Sequence, residues 1–224
     1  MRAVTAMVVA GVLLACGGSS SSSSNTGTSV ALTGSSNVSG TLNEATSIVL
    51  NGKSCRAGNV NLSASAAFIG FSTLSNACQL LQQQQDPANA TLAGVALARV
   101  AAGSSVPLAT GTYTFFDTSS GGIPPFDPVT LTASLVVAGT AVRNGGSAGA
   151  GQGCTIVEQA KVTGGTVTLS SVTPTAVVGT LNLTLSNGGK ITGNFEAPVC
   201  PTNADITATC TVTGIPVNGT GTCM

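Results

Sequence analysis

The 224-residue chain carries charge on only 6% of its positions, seven basic against seven acidic, and contains neither histidine nor tryptophan. Basic residues scattered singly exclude the charged stripe that nucleic-acid binding requires, and abundant Thr, Ser, Val, Ala and Leu at low charge speak for a β-rich globular chain rather than a disordered one. The absence of histidine removes the Ser-His-Asp triad, the Cys-His pair and every imidazole metal site together.

At the N-terminus Arg2 supplies a positive charge, Ala6 to Leu14 are small or apolar, and Ala15 places a small residue before Cys16. This is the pattern of a signal peptide, and its apolar run is much shorter than the about 20 residues that span a bilayer. Leu13-Leu14-Ala15-Cys16, followed by Gly17-Gly18 and the serine tract Ser19 to Ser24, resembles a bacterial lipobox. The resemblance implies cleavage before Cys16, acylation of Cys16 (palmitate among the acyl chains), and attachment to a membrane through that lipid. Gly17, where an aspartate would retain such proteins at the inner membrane, implies release to the outer membrane of a Gram-negative envelope.

The expected organisation is a signal peptide over 1–15, the lipidated cysteine and a Ser/Gly-rich tether over 16–29, a β domain over 30–200 and a C-terminal extension over 201–224. A tether of this length and composition reaches about 20 Å as a coil. Loss of Arg2 with the signal peptide leaves six basic residues against seven acidic ones, a net charge near −1.

Within the β domain, Val38 to Leu42 and Ser47 to Leu50 read as short strands, the second ending in a turn at Asn51-Gly52. Gly52-Lys53-Ser54 resembles the end of a phosphate-binding loop, but Ser47 stands where that motif needs its first glycine, and no helical pattern follows. Ala66 to Thr73 reads as a buried strand. Leu74, Ala77, Cys78 and Leu81 then fall at i, i+3, i+4 and i+7 with glutamines opposite, which predicts one short helix near Ser75–Gln84, stopped by Asp86-Pro87. Thr91 to Val100 suits either state and is taken as a strand from its β surroundings.

Gly111 to Phe116 reads as a strand, and Asp117 to Pro128 as a loop. Val129, Leu131, Ala133, Leu135 and Val137 alternate with Thr130, Thr132 and Ser134, predicting a strand with one buried face. Asn144 to Gly153 is a glycine-rich loop, and Cys154 to Gln159 begins the next strand. The most regular pattern lies between Gly164 and Cys200. There Val167 and Leu169, then Val177 to Leu185, then Ile191 to Ala197, each hold period 2 and predict a three-stranded antiparallel meander with a turn at Asn187-Gly188-Gly189. The expected fold is all-β, an antiparallel β-sandwich or flattened barrel with one short helix.

Six cysteines follow Cys16: Cys55, Cys78, Cys154, Cys200, Cys210 and Cys223. An even number in an exported chain with no C-x-x-C and no histidine points to three structural disulfides rather than a metal site, with Cys210–Cys223 the preferred local pair and the other four open. No cofactor and no metal are expected. The best carboxylate pair is Asp117 and Asp127, flanking the Gly/Pro loop; it could serve a glycosidase, join a calcium site despite lacking D-x-D-x-D spacing, or simply cap turns. A carbohydrate-binding face needs aromatic platforms, and Tyr113 sits inside a strand while Phe126 is the one aromatic placed in a loop.

The Gly164–Cys200 meander, with its GGTVTL entry and NFEAPVC exit, also resembles uncharacterised β-rich envelope lipoproteins of Gram-negative bacteria, a likeness that implies an envelope location and no particular activity. The functional expectation is a lipid-anchored, non-catalytic structural or protein-interaction module, with a membrane contact through Cys16, a possible envelope protein as partner and no nucleic acid. The alternative is a carboxylate-dependent enzyme such as a glycoside hydrolase.

Overall fold

The computed structural model describes residues 27–34, 37–57, 60–75, 77–79, 87–102, 106–117, 124–147 and 154–201. Its strands are β1 (Ser29–Thr33), β2 (Gly40–Leu42), β3 (Glu44–Ala57), β4 (Val60–Ser72), β5 (Thr91–Ala102), β6 (Gly111–Phe115), β7 (Thr132–Ser147), β8 (Cys154–Val172), β9 (Ala176–Leu185) and β10 (Lys190–Pro198). They form one ten-stranded sheet in the order β2-β1-β10-β9-β8-β6-β7-β5-β4-β3, with β7 and β8 also paired to each other. Every pairing of named strands is antiparallel except β6 with β7, so the all-β sheet is mixed at that single place.

The sheet rolls on itself without closing into a barrel. β3 meets the end of β10 at one parallel bridge, Ser47 to Val199. The buried Ser47 hydroxyl donates to the carbonyls of Ala197 and Pro198 at 3.0 and 3.2 Å, and the Cys200 amide donates to the Ser47 carbonyl at 2.8 Å. Polar groups at this seam therefore find partners across it, as buried hydroxyls and amides require. Inside the roll, one apolar cluster runs through Val30, Leu42, Ile69, Phe71, Val95, Leu97, Tyr113, Val167, Leu183, Ile191 and Phe195.

The predicted meander is present as β8, β9 and β10. Val177, Gly179, Leu181, Leu183, Leu185, Ile191, Phe195 and Ala197 are all buried, and the residues between them on β9 and β10 are exposed or half-buried. Two glycines permit the close approach of its strands. Gly165 takes a positive φ of 104° beside a register shift, and a Cβ there would strike the Asn182 carbonyl of β9. Gly179 lies directly opposite Phe195, whose ring covers the space that a side chain would fill.

The strand taken over Thr91 to Val100 is β5, and residues 77–79 are helical inside the stretch read as a helix. Four expectations change. β1 was not foreseen; its five residues alternate Val30 and Leu32 inward, a period too short to stand out. Asn51-Gly52 is no hairpin turn but an irregularity inside β3, where Leu50 pairs with Ala66 and Lys53 with Ala64. An extra residue on one strand bends and twists the ladder without ending it. Val129 and Leu131 are 87% and 52% exposed because β7 begins only at Thr132; the preceding residues form a turn in which Leu131 adopts φ of 52°. Lastly, Asn144 to Ser147 continue β7 across two further register shifts to pair with the start of β8.

Candidate functional site

Asp127, one half of the proposed carboxylate pair, is spent on its own turn. Its Oδ1 accepts from the amides of Val129 (2.9 Å) and Thr130 (2.7 Å) and from the Thr130 hydroxyl (3.0 Å). The Asp127 amide and carbonyl bond to Thr132 and Leu131 in the same turn. These donors favour the ionised form, so the carboxyl titrates below the ordinary aspartate range. Asp117 is exposed just after β6. The turn-capping role thus accounts for Asp127, and Phe126 beside it is half-buried rather than a free platform.

Tyr113 is fully buried and faces the core. Its hydroxyl donates to the Ala109 carbonyl at 2.9 Å and accepts from the Ala109 amide at 3.2 Å, tying the segment before β6 to the strand. Burial pushes its pKa up, partly opposed by the hydrogen bond to Ala109 and by the charge of Arg99. This is a structural tyrosine, not a ligand platform.

Among the cysteines, Cys78 is bonded to Cys200 with Cα atoms 5.7 Å apart across 122 residues of chain. The Thr46 hydroxyl donates to the Cys200 sulfur, which has no proton of its own. A loop of this size gives an entropic estimate of about 5 kcal/mol, and the bond falls at the seam where β3 meets the end of β10. Cys154 is also disulfide-bonded. Cys55 stands in β3 opposite Leu62. Cys16, Cys210 and Cys223 lie outside the described residues, as do residues 1–26 and 202–224, the stretches of the expected signal peptide, most of the expected tether and the expected C-terminal extension beyond Pro201. No group of His, Cys, Asp or Glu among the described residues could hold a metal ion, and no described helix is long and apolar enough to cross a membrane.

The feature that sequence reading left undeveloped is the outer face of β6, β8, β9, β10 and β1. Cross-strand register sets Thr112, Thr168, Thr180, Asn194 and Ser29 side by side in one row, all exposed. A parallel row two residues along contains Thr114, Thr166, Asn182 and Thr192. Neighbours within a row stand about 4.8 Å apart, and the rows are separated by about 6.7 Å. The Thr112 and Thr168 hydroxyls are hydrogen-bonded at 3.2 Å. Period-2 alternation marks each threonine as outward-facing, but only the strand register reveals that they align. The surface is hydroxyl- and amide-rich and carries no charge within the two rows. No protein-family model, no curated protein and no solved structure matches this chain.

Proposed function

We propose that the protein is a lipid-anchored envelope module without catalytic activity, tied to the outer membrane through Cys16 and acting by presenting the polar face of β6, β8, β9, β10 and β1 to an envelope partner. The observation that carries this reading is the pair of aligned Thr/Asn rows. They form a broad, uncharged, hydrogen-bonding surface on a rigid sheet, which suits recognition by many weak polar contacts more than a single reactive centre. Asp127 supports it from the other side, since its carboxylate already has three donors within its turn. The lipobox resemblance supports the anchor, and the Ser/Gly-rich tether supplies the reach.

Fractionation tests the anchor: Cys16→Ala leaves the protein in the soluble fraction, whereas its persistence in the membrane pellet rejects lipidation at that residue. An activity screen against glycan, ester and peptide substrates tests the rest. Turnover that disappears in both Asp117→Asn and Asp127→Asn would replace the interaction module with a carboxylate enzyme.

A further inference from the structure

Strands β1, β9, β6 and β7 run in one direction. β1 is antiparallel to β10 and β10 to β9, β9 and β6 are each antiparallel to β8, and β6 is parallel to β7. Their first residues, Ser29, Ala176, Gly111 and Thr132, therefore lie toward the same end of the sheet. Register carries the row of Ser29 through Asn194, Thr180 and Thr168 to Thr112, and Leu135 stands beside Thr114 two residues further on. Two segments meet the sheet at this end: the described chain begins there at Gly27, and the turn from Asp127 to Leu131 leads into β7. The position of Gly27 is fixed, because the Asn194 side-chain amide donates to its carbonyl at 2.8 Å and the Thr28 hydroxyl donates to the carbonyl and accepts from the amide of Glu196, both at 3.1 Å.

The turn presents apolar side chains to solvent in a conformation that Asp127 enforces. Val129 and Leu131 are among the most exposed large hydrophobics described, and Pro128 before them is exposed too. Leu131 holds a positive φ that bulky residues rarely enter, with no burial to offset it. Such a conformation persists where its surroundings over-determine it. Here the Leu131 amide donates to the Asp127 carbonyl at 2.9 Å, the Asp127 amide donates to the Thr132 carbonyl at 2.8 Å, and the Asp127 carboxylate takes the amides of Val129 and Thr130. The one charge of the turn is thus directed onto its own N–H groups, and the tip is left apolar, which marks a contact surface. The other exposed large hydrophobics among the described residues lie toward the opposite end. Leu74 follows Ser72, which pairs with Leu92 and so stands level with Val142, and Ile156, next to Val157, pairs with Asn144.

The length of chain before Gly27 decides what covers the tip. With Cys16 acylated as proposed above, a premise on which this inference rests, only residues 17–27 join the lipid to the sheet, and they can span at most about 38 Å whatever their conformation. From β1 to β7 is five strand spacings, about 24 Å measured along the curved sheet, so Gly27 and the turn can stand together at one membrane surface. Along β7 from Thr132 to Asn144 is about 40 Å, so resting the sheet on Leu74, Ile156 and Val157 would draw residues 17–27 out to about their limit. An apolar tip beside a lipid anchor adds buried area to the membrane contact. We infer that the Asp127–Leu131 turn is a second membrane contact, with Val129 and Leu131 entering the boundary between headgroups and acyl chains and setting this end of the sheet against the lipid that carries Cys16.

The chain contains no tryptophan, so Val129→Trp supplies a single emitter at an exposed position, and Val157→Trp supplies the same emitter at the opposite end. The mature chain of each, purified from the envelope, is reconstituted into vesicles of phosphatidylethanolamine and phosphatidylglycerol with and without brominated acyl chains. Emission from position 129 is expected to shift to the blue and to lose most of its intensity to bromine, while emission from position 157 does neither. Adding Leu131→Asp to the Val129→Trp chain is expected to restore the intensity while the chain still floats with the vesicles. Flotation without quenching at position 129, or equal quenching at the two positions, overturns the inference and leaves the lipid anchor standing. Quenching at position 129 that Leu131→Asp does not change shows the tryptophan inserting on its own account and overturns it as well. A mature chain that does not float overturns the anchor and the inference together.

Discussion

Phe71 on β4 and Phe195 on β10 meet edge to face, ring centroids 5.5 Å apart at 74°, although their strands are six places apart in the sheet order. The contact spans the interior of the roll. Both rings are buried, and Phe195 also covers Gly179 on the neighbouring strand, so one side chain joins the two halves of the sheet and fills the gap that a glycine leaves. Phe195→Ala removes the aromatic pair and opens a cavity, and is expected to cost about 3–5 kcal/mol. Chemical denaturation would read this as a lower midpoint with an unchanged slope. Phe195→Leu, which keeps apolar volume over Gly179, is expected to lose less.

Leu183 and Thr184 are neighbours in β9 with opposite environments. Leu183 is fully buried, while Thr184 is exposed and lies across from Lys190. Leu183→Asp therefore buries a carboxylate among apolar side chains, at a cost exceeding about 4 kcal/mol. Thr184→Asp faces solvent beside a lysine and should stay within about 0.5 kcal/mol of the parent. Equal losses in the two variants on thermal unfolding would contradict the register of the meander.

That contrast could be stated from sequence because β9 keeps strict alternation over its whole length and needs no distant partner to explain it. Elsewhere the pattern is set by tertiary pairing. The apparent alternation from Val129 to Val137 crosses a turn held by Asp127, so its first two apolar residues stay outside the core. Asn51-Gly52 has the residue types of a hairpin, but β4 offers partners on both sides of it and the strand runs on. The Cys78–Cys200 bond joins positions 122 residues apart, a proximity created by rolling the sheet and invisible to local spacing. The aligned threonine rows are legible by the same divide: each outward residue can be read from its own strand, and their lateral alignment only from register.

Tyr113 should make the fold sensitive to alkali. Its folded pKa lies above the ordinary tyrosine value, so its contribution to stability is complete below about pH 10 and declines as pH rises from there through the raised folded value, where the unfolded chain ionises more readily. Tyr113→Phe removes this component of the alkaline transition. It also strands both the amide and the carbonyl of Ala109, for an expected loss of about 1–3 kcal/mol near neutral pH. Unfolding followed across pH 8 to about 12, a range bracketing the usual phenol ionisation, separates the two effects. A Phe variant with the parent's full alkaline dependence would show that Tyr113 is not its source.

Asp127 should act in the opposite direction. Its folded pKa is lowered by the Thr130 amide and hydroxyl and by the Val129 amide, so the turn is fully supported above the ordinary aspartate value and loosens as pH falls through the lowered folded one. Because the carboxylate is fully exposed, the effect is local rather than global. Amide exchange or chemical shifts at Val129 and Thr130 should follow that acid titration. Asp127→Asn keeps an acceptor oxygen and should retain the turn without the pH step, whereas Asp127→Ala should release both amides at every pH. The same direction of shift bears on catalysis. A glycosidase acid must hold its proton near neutrality, which needs a raised pKa. A carboxyl already pulled low by three donors could serve only as the ionised member of such a pair. A titration at Val129 and Thr130 displaced above the ordinary aspartate range would reverse that conclusion and restore Asp127 as a candidate acid.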